Sequence, residues 1–231
     1  MSRFFLCFLF MAGLAWGHNG KVDFDPRPGA QLPLALAFEE AGKPVRLERF
    51  FGRTPVVLLL GYQGCVNLCS TTLRTAADAL ERTGLRAGAD YVALFVSIDP
   101  RDEKAPPERR PGWHFLTGAR SAAALARSIG FEFIFEKESG EFAHPAGFVV
   151  LTPLGTVARH FPGVGFEPRA VRAGIEQAAR GESSSAFERL LLVCFHDPVS
   201  GRYSETVLDA LRLAIAAFLA ALAWFGWRRL R

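Results

Sequence analysis

The chain has 231 residues, half of them apolar, and a formal net charge of +4. That length buries one core of ordinary size with flanking segments. The basic residues are scattered, with no basic stripe of the kind that binds nucleic acid, and four cysteines are too few for a disulfide scaffold in a chain this long.

Residues 1–17 open with Arg3, continue through an apolar run from Phe4 to Leu14, and end on Ala15-Trp16-Gly17. This pattern is expected to be a signal peptide cleaved before His18, since the run falls short of the ~20 residues of a spanning helix. Cys7 would leave with it. Residues 18–30 carry Pro26, Pro28 and Gly29 and read as an extended lead-in. A domain over 31–181 follows. Its first part holds a weakly alternating strand at 32–38, a turn at 39–44, and a second strand or short helix at 45–50. The apolar run at 54–62 reads as a strand buried on both faces. Helical spacing of Leu73, Ala76, Ala77 and Leu80 marks a helix over 70–83. A second buried strand covers 91–98, and a charged, proline-rich loop 101–111. A helix is expected at 119–129, closed by Gly130, then strands at 131–135, 146–152 and 156–161. The last two form a hairpin across Pro153-Leu154-Gly155. A helix at 168–180 starts on proline.

Residues 182–205 are expected to be a linker, 206–227 a transmembrane helix, and 228–231 a basic tail. The continuous apolar part from Leu213 to Trp227 would span ~22 Å at 1.5 Å per residue, so Asp209 and Arg212 are needed in the outer turns to reach ~30 Å. Trp224 and Trp227 suit the opposite interface. Arg228, Arg229 and Arg231 place that end in the cytoplasm and residues 18–205 outside. The expected location is a single-pass protein of the bacterial inner membrane with a periplasmic domain.

The order of elements implies an α/β sandwich with a central mixed sheet flanked by helices. A helix opening directly after a buried strand, with cysteines at the junction, is the thioredoxin-like arrangement by fold analogy.

That junction reads Gly61-Tyr62-Gln63-Gly64-Cys65-Val66-Asn67-Leu68-Cys69. In the first turn of a helix, the Cys69 thiolate is favoured by the helix dipole. Two thiolates facing one point hold a soft ion, Cu(I) above all; the same sulfurs can form a disulfide, or pack as small buried hydrophobes. Spacing alone does not choose among these.

The chain resembles the Sco/SenC proteins. The resemblance rests on Cys65-x-x-x-Cys69 within Gly61-Tyr62…Ser70-Thr71-Thr72-Leu73, then Val96-Ser97-Ile98-Asp99-Pro100 with Arg101-Asp102, then Trp113-His114-Phe115-Leu116-Thr117-Gly118, and then His144 before Phe148-Val149-Val150. It implies that Cys65, Cys69 and His144 bind one copper ion, Cu(I) or Cu(II). It also implies a metallochaperone that assists assembly of a copper centre in a respiratory terminal oxidase. Expected partners are the oxidase's copper-centre subunit, a copper donor protein and the membrane, with no nucleic acid. The alternative function is an extracytoplasmic thiol–disulfide oxidoreductase using Cys65 and Cys69 as its redox pair without needing His144. A peroxidase ranks last, because no Thr precedes either cysteine by three residues. The chain departs from the family in having Val66 and Ser70 after the cysteines, where prolines are usual, and Asn67 between them, where an Asp is usual.

Among other residues, His114 and His160 are expected to be structural. Asp99 is expected to tune the thiolates or to cap a turn. His18 is a minor Cu(II) candidate as a mature N-terminus, and Cys194 with His196 forms a spare soft pair near the anchor.

Overall fold

The computed structural model describes residues 22–63, 68–102, 110–183, 212–216 and 218–219, with backbone alone for Asp23 and residues 68–70. The expected signal peptide and most of the linker lie outside these residues, as do Cys7, His18, Cys194 and His196. Of the expected anchor, 212–216 and 218–219 are helical, and Leu213, Ile215, Phe218 and Leu219 are exposed. No helix among the described residues is long and apolar enough to cross a membrane.

In chain order the elements are β1 (Asp23–Phe24), β2 (Ala37–Glu40), β3 (Lys43–Arg46), a 3-10 turn (Leu47–Phe50), β4 (Val56–Gly61), α1 (Leu68–Arg82), β5 (Val92–Ser97), β6 (Trp113–Thr117), α2 (Ala119–Ser128), β7 (Phe131–Glu132), β8 (Ile134–Glu136), β9 (Glu141–Ala143), β10 (Gly147–Leu151), β11 (Val157–Pro162) and α3 (Pro168–Ala179). One seven-stranded sheet runs β11-β10-β4-β5-β6-β2-β3. The pairs β4–β5 and β5–β6 are parallel, and the remaining neighbours antiparallel.

The period-2 alternation of strands divides the core. Val56, Leu58 and Leu60 of β4 join Leu94, Val96, Val149 and Leu151 on the face covered by Ala122 and Leu125 of α2. Val57 and Leu59 join Ala93, Phe95, Phe148 and Val150 on the other face, under Ala76 and Leu80 of α1 and Val171 and Ile175 of α3. Both faces of β4 are therefore buried, which is why its sequence is apolar throughout. Helix α3 begins on Pro168 after Glu167, whose carboxylate accepts from the Ala170 N–H at 2.7 Å; proline costs nothing where an N–H has no helical partner.

Several elements differ from expectation, and the strand expected at 32–38 begins only at Ala37. The turn expected over 39–44 is only two residues, Ala41 (φ 51°) and Gly42 (φ 76°), so β2 and β3 form a tight hairpin of the kind that needs positive φ at both central positions. The segment 131–135 is split, with β7 pairing to β1 and β8 to β9. Strand β6 and strand β9 were not expected at all. The lead-in is also tied to the domain: Asp25 N–H donates to the Gly130 carbonyl and Gly29 N–H to that of Val157, both at 2.8 Å.

Candidate metal centre

The parallel strands β4 and β5 end together, and loops beyond the carboxyl ends of such strands are where sheets of this kind hold ligands. Strand β10 runs antiparallel to β4, with Phe148 opposite Leu59. Carrying that register toward the start of β10 sets His144 opposite the residues that follow β4. The contact is direct: the His144 ring lies 5.8 Å from that of Tyr62 at 74°.

His144 is buried, at 7% exposure. Its Nδ1 lies 2.9 Å from the Pro145 carbonyl oxygen. That oxygen can only accept, so the proton is assigned to Nδ1, and Nε2 is the unprotonated nitrogen of the neutral ring. Burial pushes the imidazole pKa below its ordinary value, against the opposing pull of the Pro145 hydrogen bond. A metal-binding histidine needs this state: neutral, with its second ring nitrogen anchored to a backbone carbonyl. Phe131 stacks on the ring at 5.7 Å and 28°.

Cys69 is the second residue of α1, inside the first turn, where the helix dipole favours a thiolate. Cys65 lies in 64–67, outside the described residues. Among the described residues there is no cluster of three or more His, Cys, Asp or Glu able to hold a metal, a set that omits Cys65.

The approach to Cys65 is tied to the end of β5. The Gln63 N–H donates to Asp102 Oδ2 at 2.9 Å, and the Ser97 hydroxyl donates to the same oxygen at 2.6 Å. Asp99 is committed elsewhere. Its carboxylate accepts from Arg101 N–H at 2.8 Å, from Nε at 2.9 Å and from Nη2 at 2.6 Å, which is a turn-locking role. His114 on β6 pairs through Nδ1 with Glu40 of β2 at 2.6 Å, and His160 on β11 is buried at 2% exposure; both are built into the sheet. Asp102, Tyr62 and Phe131 are not among the expected site residues. Their roles come from contacts between segments far apart in sequence, which no local pattern signals.

The cysteine-bearing strand–helix junction, on a mixed sheet with helices on both faces, defines a thioredoxin-like domain. The family model described as SCO1/SenC matches residues 36–180, and the chain belongs to that family. No curated protein matches the chain. Among solved structures, the chain is similar to a protein of Aquifex aeolicus VF5 (TM-score 0.58, 20% identity, 68% of this chain and 96% of that one). It is similar to BsSco, described as having a disulfide switch and as a member of the Sco family of cytochrome c oxidase assembly proteins (TM-score 0.54, 20% identity, 67% and 97%). It is also similar to Arabidopsis thaliana ScoI with copper bound (TM-score 0.53, 20% identity, 63% and 96%).

Proposed function

We propose that this protein binds one copper ion as cargo through Cys65, Cys69 and His144 and assists assembly of a copper centre in a respiratory terminal oxidase. The observation that carries the reading is His144: buried, neutral, anchored at Nδ1, and packed against Tyr62, three residues before Cys65. Two thiolates and one imidazole form a soft-to-borderline donor set suited to Cu(I) and tolerant of Cu(II). Family membership and the copper-bound ScoI relative support the choice of metal. The oxidase role is supported by the description of BsSco. The working location is the outer face of a bacterial inner membrane, with the domain periplasmic, the chain's last residues cytoplasmic, and a copper donor and the oxidase subunit as partners.

The test is copper stoichiometry and visible spectra of the full chain in detergent, wild type beside His144→Ala. One copper per chain is expected, with tight binding lost in the variant. Unchanged binding of both Cu(I) and Cu(II) by His144→Ala rules out the three-ligand site.

The disulfide switch described for BsSco favours a second reading. Here Cys65 and Cys69 form a disulfide while two electrons and two protons pass to a partner's disulfide, leaving it as two thiols. Thiol–disulfide turnover without copper, surviving His144→Ala, would establish it.

A further inference from the structure

We propose that Asp102 is a positioning residue that sets the path of the chain into Cys65. The inference rests on the reading of Cys65 and Cys69 as the reactive pair. The regular β4–β5 ladder reaches its last tie where Ile98 N–H donates to the Gly61 carbonyl at 2.9 Å. Beyond that point Tyr62 and Gln63 lead out of the sheet toward Cys65. The next tie is the Gln63 N–H on Asp102 Oδ2 at 2.9 Å, two residues before the cysteine.

The carboxylate is itself held. Ser97, 2% exposed at the end of β5, donates its hydroxyl proton to the same Oδ2 at 2.6 Å, and the Ser97 oxygen accepts the Asp99 N–H at 3.1 Å. The Asp102 N–H donates to the Asp99 carbonyl at 3.2 Å, and Asp99 is fixed by the Arg101 fork. Residues 97–102 thus form a bracket built on a buried strand, and its arm toward the cysteine loop is the Asp102–Gln63 bond. Hydrogen bonds to an ionised carboxylate are short and strong compared with neutral ones. A loop held this way presents its thiolate with less ordering left to do when a ligand arrives. A residue that merely closes its own turn would not need to reach a segment 39 positions earlier.

The test uses the full chain in detergent, as wild type, Asp102→Ala, Asp102→Asn and Ser97→Ala. Three quantities are read: amide exchange over residues 61–67 without metal, the alkylation rate of Cys65 against Cys69, and Cu(I) affinity by chelator competition. Asp102→Ala is expected to speed exchange at Gln63 and weaken Cu(I) binding, each by about tenfold, the effect of one lost charge-assisted hydrogen bond. Asp102→Asn keeps an acceptor oxygen without the charge and should fall between wild type and Asp102→Ala, as should Ser97→Ala. Unchanged Gln63 exchange in Asp102→Ala overturns the proposal. So does faster exchange with unaltered Cu(I) affinity, or an Asp102→Asn as weak as Asp102→Ala, which would assign the effect to charge. If the wild type binds no Cu(I), the copper reading fails by itself, and the Cys65 alkylation rate then decides the positioning role. If Asp102→Ala does not fold, Asp102→Asn and Ser97→Ala decide it through the same exchange and affinity readings: wild-type behaviour in Ser97→Ala overturns it.

Discussion

The imidazole of His144 lies on the ring of Phe131, centroids 5.7 Å apart and planes 28° from parallel, and Phe131 is in turn met edge-on by Phe24 at 5.4 Å. Through this stack, the plane of the proposed ligand is set by a core residue of β7, 1% exposed. Phe131 also belongs to the strand that holds the lead-in segment through β1. Packing of the lead-in and orientation of the ligand therefore share one side chain.

Phe131→Leu preserves most of the apolar volume and removes the stacking surface. A swap that roughly conserves volume costs under about 1.5 kcal/mol of stability. An aromatic contact contributes about 0.5–1.5 kcal/mol beyond area burial. Copper affinity is thus expected to fall by up to about tenfold while the far-ultraviolet circular dichroism spectrum is unchanged. Chelator competition on both proteins measures this. An affinity equal to wild type would show that the ring is oriented without Phe131, by its other contacts, the Pro145 hydrogen bond and Tyr62 among them.

The Asp99–Arg101 fork has a defined pH signature. Burial would raise the Asp99 pKa, yet hydrogen bonds and charge from Arg101 hold it below the ordinary carboxylate value of 3.8. A carboxylate depressed by folding stabilises the protein above the unfolded pKa and loses that contribution as pH falls through the folded one. Arg101→Ala leaves the burial and the backbone N–H bond and removes the guanidinium fork with its charge, so the Asp99 pKa should rise. The stability gap between wild type and variant should be widest near neutrality and close below about pH 4. Urea titrations across that range test it, and Arg101→Lys should recover only part, because an ammonium cannot reproduce the fork.

How far the fold was legible in sequence follows from how local each signal was. Strand β4 reads directly because both its faces are buried, so an unbroken run from Val56 to Leu60 had no competing interpretation. The β10–β11 hairpin was announced by Gly155 (φ 80°) in its turn, and α3 by Pro168. Strand β6 was hidden because polar His114 sits next to its start, satisfied by Glu40 on a strand whose partnership depends on the sheet's order. In the β2–β3 hairpin, where a strand, a turn and a second strand or short helix are expected, the tight two-residue turn was hidden because Ala41 occupies a left-handed position that usually goes to Gly or Asn. At the site, the cysteine pair stood out by spacing, and His144 only through resemblance to a family. Its surroundings, Tyr62 from β4's end and Phe131 from β7, are long-range packing that a linear pattern does not encode.

Two glycines with nearly the same backbone separate strain from contact. Gly130 (φ +72°) and Gly140 (φ +71°) both adopt the left-handed conformation, but a Cβ on Gly130 would lie 1.9 Å from the Asp25 carbonyl oxygen, whereas one on Gly140 meets nothing within 4 Å. Gly140→Ala should cost roughly 1–2 kcal/mol, the conformational penalty alone. Gly130→Ala must also push the lead-in off Gly130, breaking the Asp25 N–H bond to its carbonyl. It should cost clearly more and make residues 22–30 open to proteolysis. Denaturant unfolding and limited proteolysis of the pair decide the point; equal costs would mean that the lead-in adds nothing to the domain.

His160 sets a second pH limit. Its Nε2 lies 3.1 Å from the Ile129 carbonyl oxygen and 3.4 Å from the Arg27 backbone nitrogen; the shorter contact assigns the proton to Nε2. Its Nδ1 is buried without a hydrogen-bond partner, and Phe24 packs edge-on at 5.1 Å. Protonating Nδ1 would place a charge in that apolar setting, so burial pushes the pKa from 6.5 to about 4, despite the opposing hydrogen bond to Ile129. Asp25 favours the charged form and Arg27 opposes it. Between those two values the unfolded chain binds more protons than the folded one, so stability rises with pH across the window. The contribution is full above about pH 6.5 and is lost progressively toward pH 4. At 1.36 kcal/mol per pH unit, it comes to about 3 kcal/mol. His160→Gln removes the titrating group and keeps a side-chain donor, so the wild-type loss of stability between pH 7 and pH 4 should exceed the variant's by about that amount. Parallel pH dependences in the two proteins would place the acid sensitivity elsewhere.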